Sequence, residues 1–184
     1  MTYKIAVVVG SIRRESFNKQ LAHAVASLAP PDFSFEFLDI ANLPLYSQDY
    51  DSDFPEAART LKQKIAAANG LLFVTPEYNR SIPGVLKNAL DWGSRPWGQS
   101  AWANKPGAIL GTSLGATGTA LAQAHLRNVL AYLDVPLMGQ PEMFIKHDEN
   151  RIDASGTIVN EDMRKFLQNF VDKYAAWVQR LATV

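Results

Sequence analysis

Short apolar runs alternate with longer stretches that are apolar along one face only, and the alternation persists through the chain. The first run, Ile5-Ala6-Val7-Val8-Val9, has no polar member, so it reads as a strand covered on both faces, as in a parallel sheet. From Phe17 the period changes: Phe17, Leu21, Ala24, Val25 and Leu28 fall on one helical face. The same reading predicts a second strand over Phe33 to Ile40, then a helix from Glu56 to Ala68 stopped by Asn69-Gly70. A third strand, Leu71 to Thr75, is closed by Pro76, and a helix from Ile82 to Gly93 takes Pro83 in its first turn. Ala108 to Thr112 is a fourth strand, Thr119 to Leu133 a helix, and Val135 to Met138 a fifth strand that resumes near Phe144. A closing helix from Glu161 to Leu181 starts behind an Asn160 cap, with Phe166, Phe170 and Trp177 spaced as core.

Five strands, each followed by a helix, make an α/β chain with a doubly wound parallel sheet, and residues 1–184 form a single domain without repeats or low-complexity tracts. Ligands of such sheets sit beyond the carboxyl ends of the strands, where the strand order reverses. The loops after the first, third and fourth strands are therefore the place for chemistry.

The first of these runs Gly10-Ser11-Ile12-Arg13-Arg14-Glu15-Ser16-Phe17-Asn18 into a helix. A strand–loop–helix entry points backbone N–H groups and a positive helix end at an anion. Ser11, Ser16 and Asn18 add neutral donors, and Arg13 or Arg14 a charge-assisted one. Ser16 also reads as an ordinary helix cap. No Gly-Lys-Ser/Thr follows, and the second and third glycines of a dinucleotide fingerprint are missing, so a terminal monophosphate is the expected anion. The loop after the third strand, Thr75-Pro76-Glu77-Tyr78-Asn79-Arg80-Ser81-Ile82-Pro83-Gly84, is too polar and too long for a simple connector. Tyr78 offers a flat face, and N–H groups around Glu77 to Asn79 can read the edge of a planar heterocycle; an Asn-containing turn with an exposed tyrosine is the plainer alternative. The loop Thr112-Ser113-Leu114-Gly115-Ala116-Thr117-Gly118 lets another body approach its backbone closely. A planar ligand with a phosphate tail accounts for all three loops, and flavin mononucleotide (FMN) has that shape.

Composition narrows the classes. Eighteen basic and eighteen acidic side chains cancel, so nothing points to nucleic acid or an anionic membrane. No run could span a bilayer, and the first is too short for a signal-peptide core, which makes a soluble cytoplasmic protein the default. There is no cysteine, which removes disulfides, thiolate zinc sites and thiol redox chemistry; any electron transfer belongs to a bound cofactor. His23, His125 and His147 show no metal-ligand spacing.

These residues resemble the flavodoxin-like NAD(P)H-dependent FMN reductase family, which includes bacterial quinone, chromate and azo-dye reductases. Gly10-Ser11-Ile12-Arg13 with Ser16-Phe17-Asn18 is similar to the family's phosphate loop, and Thr75-Pro76-Glu77-Tyr78-Asn79 to its flavin-ring loop. Ile82-Pro83-Gly84 and Lys87-Asn88-Ala89-Leu90-Asp91-Trp92 resemble the helix that follows, and Ser113-Leu114-Gly115 the third contact. The resemblance implies a five-stranded sheet of order 2-1-3-4-5. It implies a phosphate surrounded by Ser11, Arg13, Ser16, Phe17 and Asn18, and a ring bordered by Pro76, Glu77, Tyr78 and Asn79, with Ser113 and Gly115 at a third contact. It also implies a homodimer or homotetramer, with Arg127 and Glu142 similar to positions in an inter-subunit polar network. The implied activity is hydride transfer from NADPH (or NADH) to flavin N5 and onward to quinones, flavins, azo compounds or metal oxyanions such as chromate. Arg14 is the candidate for the adenosine phosphate of NADPH, and N–H groups from Gly115 to Gly118 for the charge near flavin N1. A flavodoxin-type electron carrier without nucleotide turnover is the alternative, disfavoured because such carriers dock through an acidic surface and this chain is neutral. Trp92, Trp97 and Trp102 either wall the acceptor site, fill a subunit contact or pack in the core, the last being the commoner fate. His125 and Tyr132 share a helix face that is interface or surface.

Overall fold

In the computed structural model, which describes residues 2–182, five parallel strands form one sheet in the order 2-1-3-4-5. The elements are β1 (Tyr3–Val9), α1 (Phe17–Ala26), β2 (Phe33–Phe37), α2 (Glu56–Ala66), β3 (Gly70–Val74), α3 (Gly84–Ser94), β4 (Gly107–Ser113), α4 (Ala120–Tyr132), β5 (Phe144–Lys146) and α5 (Glu161–Leu181). A short 3₁₀ turn, Gln48–Tyr50, interrupts the long connection from β2 to α2. This is the flavodoxin-like arrangement that the sequence implied.

The unbroken apolar runs divide residue by residue between two cores, because successive strand side chains point to opposite faces. Ile5, Val7, Leu72, Val74 and Leu110 pack with Leu21 and Val25 of α1 and with Leu167, Phe170, Tyr174 and Val178 of α5. Ala6, Val8, Leu71, Phe73 and Ile109 pack instead with Leu61 of α2, Leu90 of α3 and Leu126 of α4. Tyr174, wholly buried, donates its hydroxyl to Leu71 O at 2.8 Å and so ties α5 across the sheet. No helix of the described residues is long and apolar enough to cross a membrane.

Several element ends differ from the sequence expectation. β2 stops at Phe37 because its partner β1 is about to leave the sheet; Leu38 still donates to Val7 O, and Leu38 and Ile40 stay buried without a ladder. Pro83 precedes α3 in an extended conformation instead of lying in its first turn. Val135–Met138 is not the fifth strand: Pro136 has no N–H to give, and only Leu137 makes a bridge, to Gly107. The strand proper is Phe144–Lys146, paired with Gly111, Thr112 and Ser113 at the carboxyl end of β4. Phe166 is exposed, because the buried stripe of α5 runs through Met163, Leu167, Phe170, Val171, Tyr174 and Val178; Trp177 is half-buried at its edge. Trp92 and Trp102 are fully buried core residues, their indole N–H groups donating to Pro44 O and Leu90 O, whereas Trp97 is three-quarters exposed at 75%.

Candidate active site

The three loops singled out in the sequence meet at the carboxyl edge of the sheet, where β1 and β3 lie side by side and their connections leave in opposite directions. They are bonded to each other. Gly10 N donates to Val74 O at 2.8 Å and Thr75 N to Leu110 O at 3.0 Å, so the loop after β3 sits between the other two. Asn18, 3% exposed, joins the first to the third: its Nδ2 donates to Thr112 O at 2.9 Å and its Oδ1 accepts from Thr112 N at 3.0 Å.

In the first loop Ser16 caps α1, its Oγ accepting from Lys19 N at 3.3 Å. The N–H groups of Ser11, Ile12, Arg13, Arg14 and Glu15 donate to no protein acceptor among the described residues. They stand ahead of a helix N-terminus with no acidic side chain in its first turn, an electrostatic environment that favours an anion. Arg13 and Arg14 are exposed; Arg13 lies 4.8 Å over the ring of Phe17, and its 4.0 Å approach to Glu15 is too open to neutralise it. A cavity of ≈ 400 Å³ opens on the β2 side of this loop, lined by Ser11, Arg13, Arg14, Lys19 and Asp39 among others.

In the second loop Tyr78 and Ser81 exchange two backbone bonds of 2.9 and 3.0 Å around Asn79 and Arg80, both left-handed at φ 51° and 66°. That tight turn props up Tyr78, half-exposed at 51%. It also occupies the Tyr78 N–H, leaving those of Glu77 and Asn79 without protein acceptors among the described residues. The Glu77 carboxylate turns away, accepting from Leu121 N at 3.0 Å and Ala122 N at 3.1 Å to cap α4. In the third loop Ser113 is half-buried, its Oγ donating to Gly115 O at 3.4 Å, and Leu114 to Thr117 are exposed. Gly118, at φ 62°, passes so close to the β5 backbone that a Cβ would strike Phe144 and Ile145. Of the N–H groups expected to point outward here, Gly118 is already bonded to Gly115 O.

Two site-edge residues were not singled out from sequence as functional. Thr112 holds the Asn18 clip by its backbone while its Oγ1 is buried without a partner among the described residues, and His147 stacks on Phe17. The topology was the available signal, since a residue just past β5 must lie at the carboxyl edge. Arg127 and Glu142 make no ion pair with each other among the described residues; Arg127 Nη1 donates to Met138 O at 3.2 Å and Glu142 is exposed. His125 Nδ1 and Ser81 Oγ lie 3.0 Å apart, and Tyr132 is exposed.

Fold and site together have the form of a mononucleotide-binding α/β protein: backbone donors left open at a helix entry, beside the switch point of a parallel sheet, suit an anion such as a phosphate monoester. Residues 3–150 match the NADPH-dependent FMN reductase family, and the chain belongs to that family. It is thus an NAD(P)H-dependent enzyme with FMN as its cofactor. It is 76% identical over 179 residues to a 2-hydroxy-1,4-benzoquinone reductase of Burkholderia sp, covering 97% of this chain and 98% of that one. It is 47% identical to a quinone reductase of Pseudomonas putida, covering 96% and 95%. The flavoenzyme NAD(P)H:(acceptor) oxidoreductase of Paracoccus denitrificans superposes with a TM-score of 0.95 at 41% identity, covering 99% of this chain and 100% of that one.

Proposed function

We propose that this enzyme is a quinone reductase that takes electrons from NAD(P)H through FMN and delivers them to small hydroxylated benzoquinones. The observation that carries the reading is the row of N–H groups from Ser11 to Glu15, without acceptors among the described residues, at the mouth of α1 beside the switch point of the sheet. High identity to a 2-hydroxy-1,4-benzoquinone reductase supports the acceptor class. Ser11, Arg13, Ser16, Phe17 and Asn18 surround the phosphate, with Asn18 acting as a brace through Thr112. Pro76, Glu77, Tyr78 and Asn79 border one side of the ring, and Ser113 and Gly115 the other. When bound, FMN would supply two-electron redox chemistry between NAD(P)H and the acceptor, a quinone taking up two electrons and two protons to become its hydroquinone. The protein supplies placement and a fixed array of dipoles, and the free N–H groups of Gly115, Ala116 and Thr117 are those available to meet charge near N1.

An acceptor needs only to reach an open ring edge beside exposed Tyr78, so flavins, azo compounds and chromate are reduced at the same place. Arg14, exposed on the cavity at the β2 side, meets the adenosine phosphate of NADPH. The working form is a cytoplasmic homodimer or homotetramer, in which Arg127 and exposed Glu142 join an inter-subunit polar network.

The test is an absorbance spectrum after adding FMN and desalting, followed by anaerobic NADPH and then 2-hydroxy-1,4-benzoquinone. Retained bands near about 375 and 450 nm, bleached by NADPH and restored by the quinone, are expected. Bands that neither NADPH nor NADH bleaches, or bleached bands that the quinone fails to restore, would overturn the proposal.

A further inference from the structure

At the back of the first loop, the chain leaving β5 delivers His147, which the reading above does not use. Its ring lies nearly parallel to that of Phe17, with centroids 3.6 Å apart and planes at 19°. Phe17 is the first residue of α1, and the same ring carries the Arg13 guanidinium 4.8 Å from its centroid. His147 is itself anchored, its N–H donating to Ser113 O at 2.8 Å. Among the described residues its Nε2 is buried without a partner and shares a cavity of ≈ 10 Å³ with Thr112, whose hydroxyl is unpartnered too. An exposed loop bearing two arginines, already clipped to β4 by Asn18, thus also has an aromatic stack joining Phe17 to the chain beyond β5.

We infer that His147 is a positioning residue of the phosphate loop: its ring seats Phe17, and Phe17 in turn holds Arg13 in line with the bound anion. The inference rests on the flavin-phosphate reading of residues 11–18. A long arginine side chain that must be ordered on binding loses rotamer freedom at that moment, and a ring that holds it beforehand removes part of that cost. A guanidinium lying on an aromatic face keeps its N–H edge free for phosphate oxygens.

Because the seat is a histidine, it also titrates. The charged groups around it are Arg13 from the first loop, Arg151 and Lys146 along the same cavity, and Asp148 and Glu149 directly following; the residues α1 and α5 bring there, Phe17, Gln20, Leu21 and Met163, are uncharged. Burial lowers its pKa below the ordinary histidine value, against Glu149 and Asp148 and with Arg13. A phosphate dianion bound nearby favours the imidazolium, so by linkage FMN affinity gains from His147 as pH falls.

The experiment measures FMN and riboflavin binding to deflavinated full-length protein by quenching of flavin fluorescence, for wild type, His147→Ala and His147→Phe. The ratio of the two dissociation constants isolates the phosphate. His147→Ala is expected to cut that ratio about tenfold, with riboflavin affinity within about twofold of wild type. His147→Phe, which keeps a ring to stack, restores it at about pH 8 but lacks the added gain of wild type near about pH 5.5. The phosphate's own titration is common to both proteins and cancels. An unchanged ratio in His147→Ala, an equal loss for FMN and riboflavin, or failure of phenylalanine to restore the ratio would each overturn the inference. Wild type binding the two flavins equally would instead overturn the phosphate reading on which it rests.

Discussion

Replacing Asn18 with alanine separates two roles that one asparagine at a helix entry can play. The Asn18 amide is buried and its two bonds, 2.9 and 3.0 Å, satisfy both backbone groups of Thr112. A net hydrogen bond contributes about 1 kcal/mol, and a buried polar group left without a partner costs about 1–3 kcal/mol. Asn18→Ala removes two bonds and strands the Thr112 N–H and C=O beside a hydroxyl that already lacks a partner, so a loss of about 3 kcal/mol is expected after water reaches part of the gap. With a urea slope of about 2 kcal/mol/M, the unfolding midpoint of the flavin-free protein falls by about 1.5 M. Asn18→Asp keeps the acceptor for Thr112 N but sets a carboxylate oxygen against Thr112 O, and is expected to lose at least as much. The assay is equilibrium urea denaturation without FMN. If the flavin-free midpoint of Asn18→Ala stays within about 0.3 M of wild type while FMN binding collapses, the bracing argument is refuted and Asn18 is a phosphate donor.

Glu77→Ala removes the carboxylate that caps Leu121 N and Ala122 N, and is expected to cost about 2 kcal/mol, seen as a melting temperature lower by about 4–8 °C. Gly93→Ala would drive a methyl group into the indole of buried Trp102; a loss of about 1–3 kcal/mol in urea unfolding is expected, and a neutral result would refute the tight fit of α3 against that ring. Arg14→Ala is expected to lower kcat/KM for NADPH about tenfold with that for NADH unchanged, measured by initial rates with a common quinone; equal effects on both nucleotides would remove Arg14 from the adenosine-phosphate role.

Much of this architecture is written locally. A short, β-branched apolar run without polar members reads as a strand buried on both faces, and Ile5 to Val8 and Leu71 to Val74 are so buried. Asn160 and Ser16 announce their helices because a side-chain oxygen beside the first turn satisfies donors that the helix itself cannot, and both cap as expected. The glycine-ended first strand, the hydroxyl- and arginine-rich loop and the tyrosine turn mark the candidate site in sequence for the same reason: their backbone demands are local. Val135–Met138 misleads because hydrophobicity alone does not show which segment finds a free edge; the pairing of Phe144–Lys146 with β4 depends on the whole sheet.

What only the tertiary structure decides is where each side chain spends its bonds. Asn18 and Glu77 are conspicuous polar residues in the proposed binding loops, yet one clips β4 and the other caps α4, partners 94 and 44 residues away. His147 looks in sequence like an isolated histidine and becomes a neighbour of Phe17 only once β5 has paired. Periodicity and capping operate over a few residues and can be read from the chain by itself. Long-range hydrogen bonds and stacking depend on which strand ends are brought together, and that is settled by folding of the complete sheet.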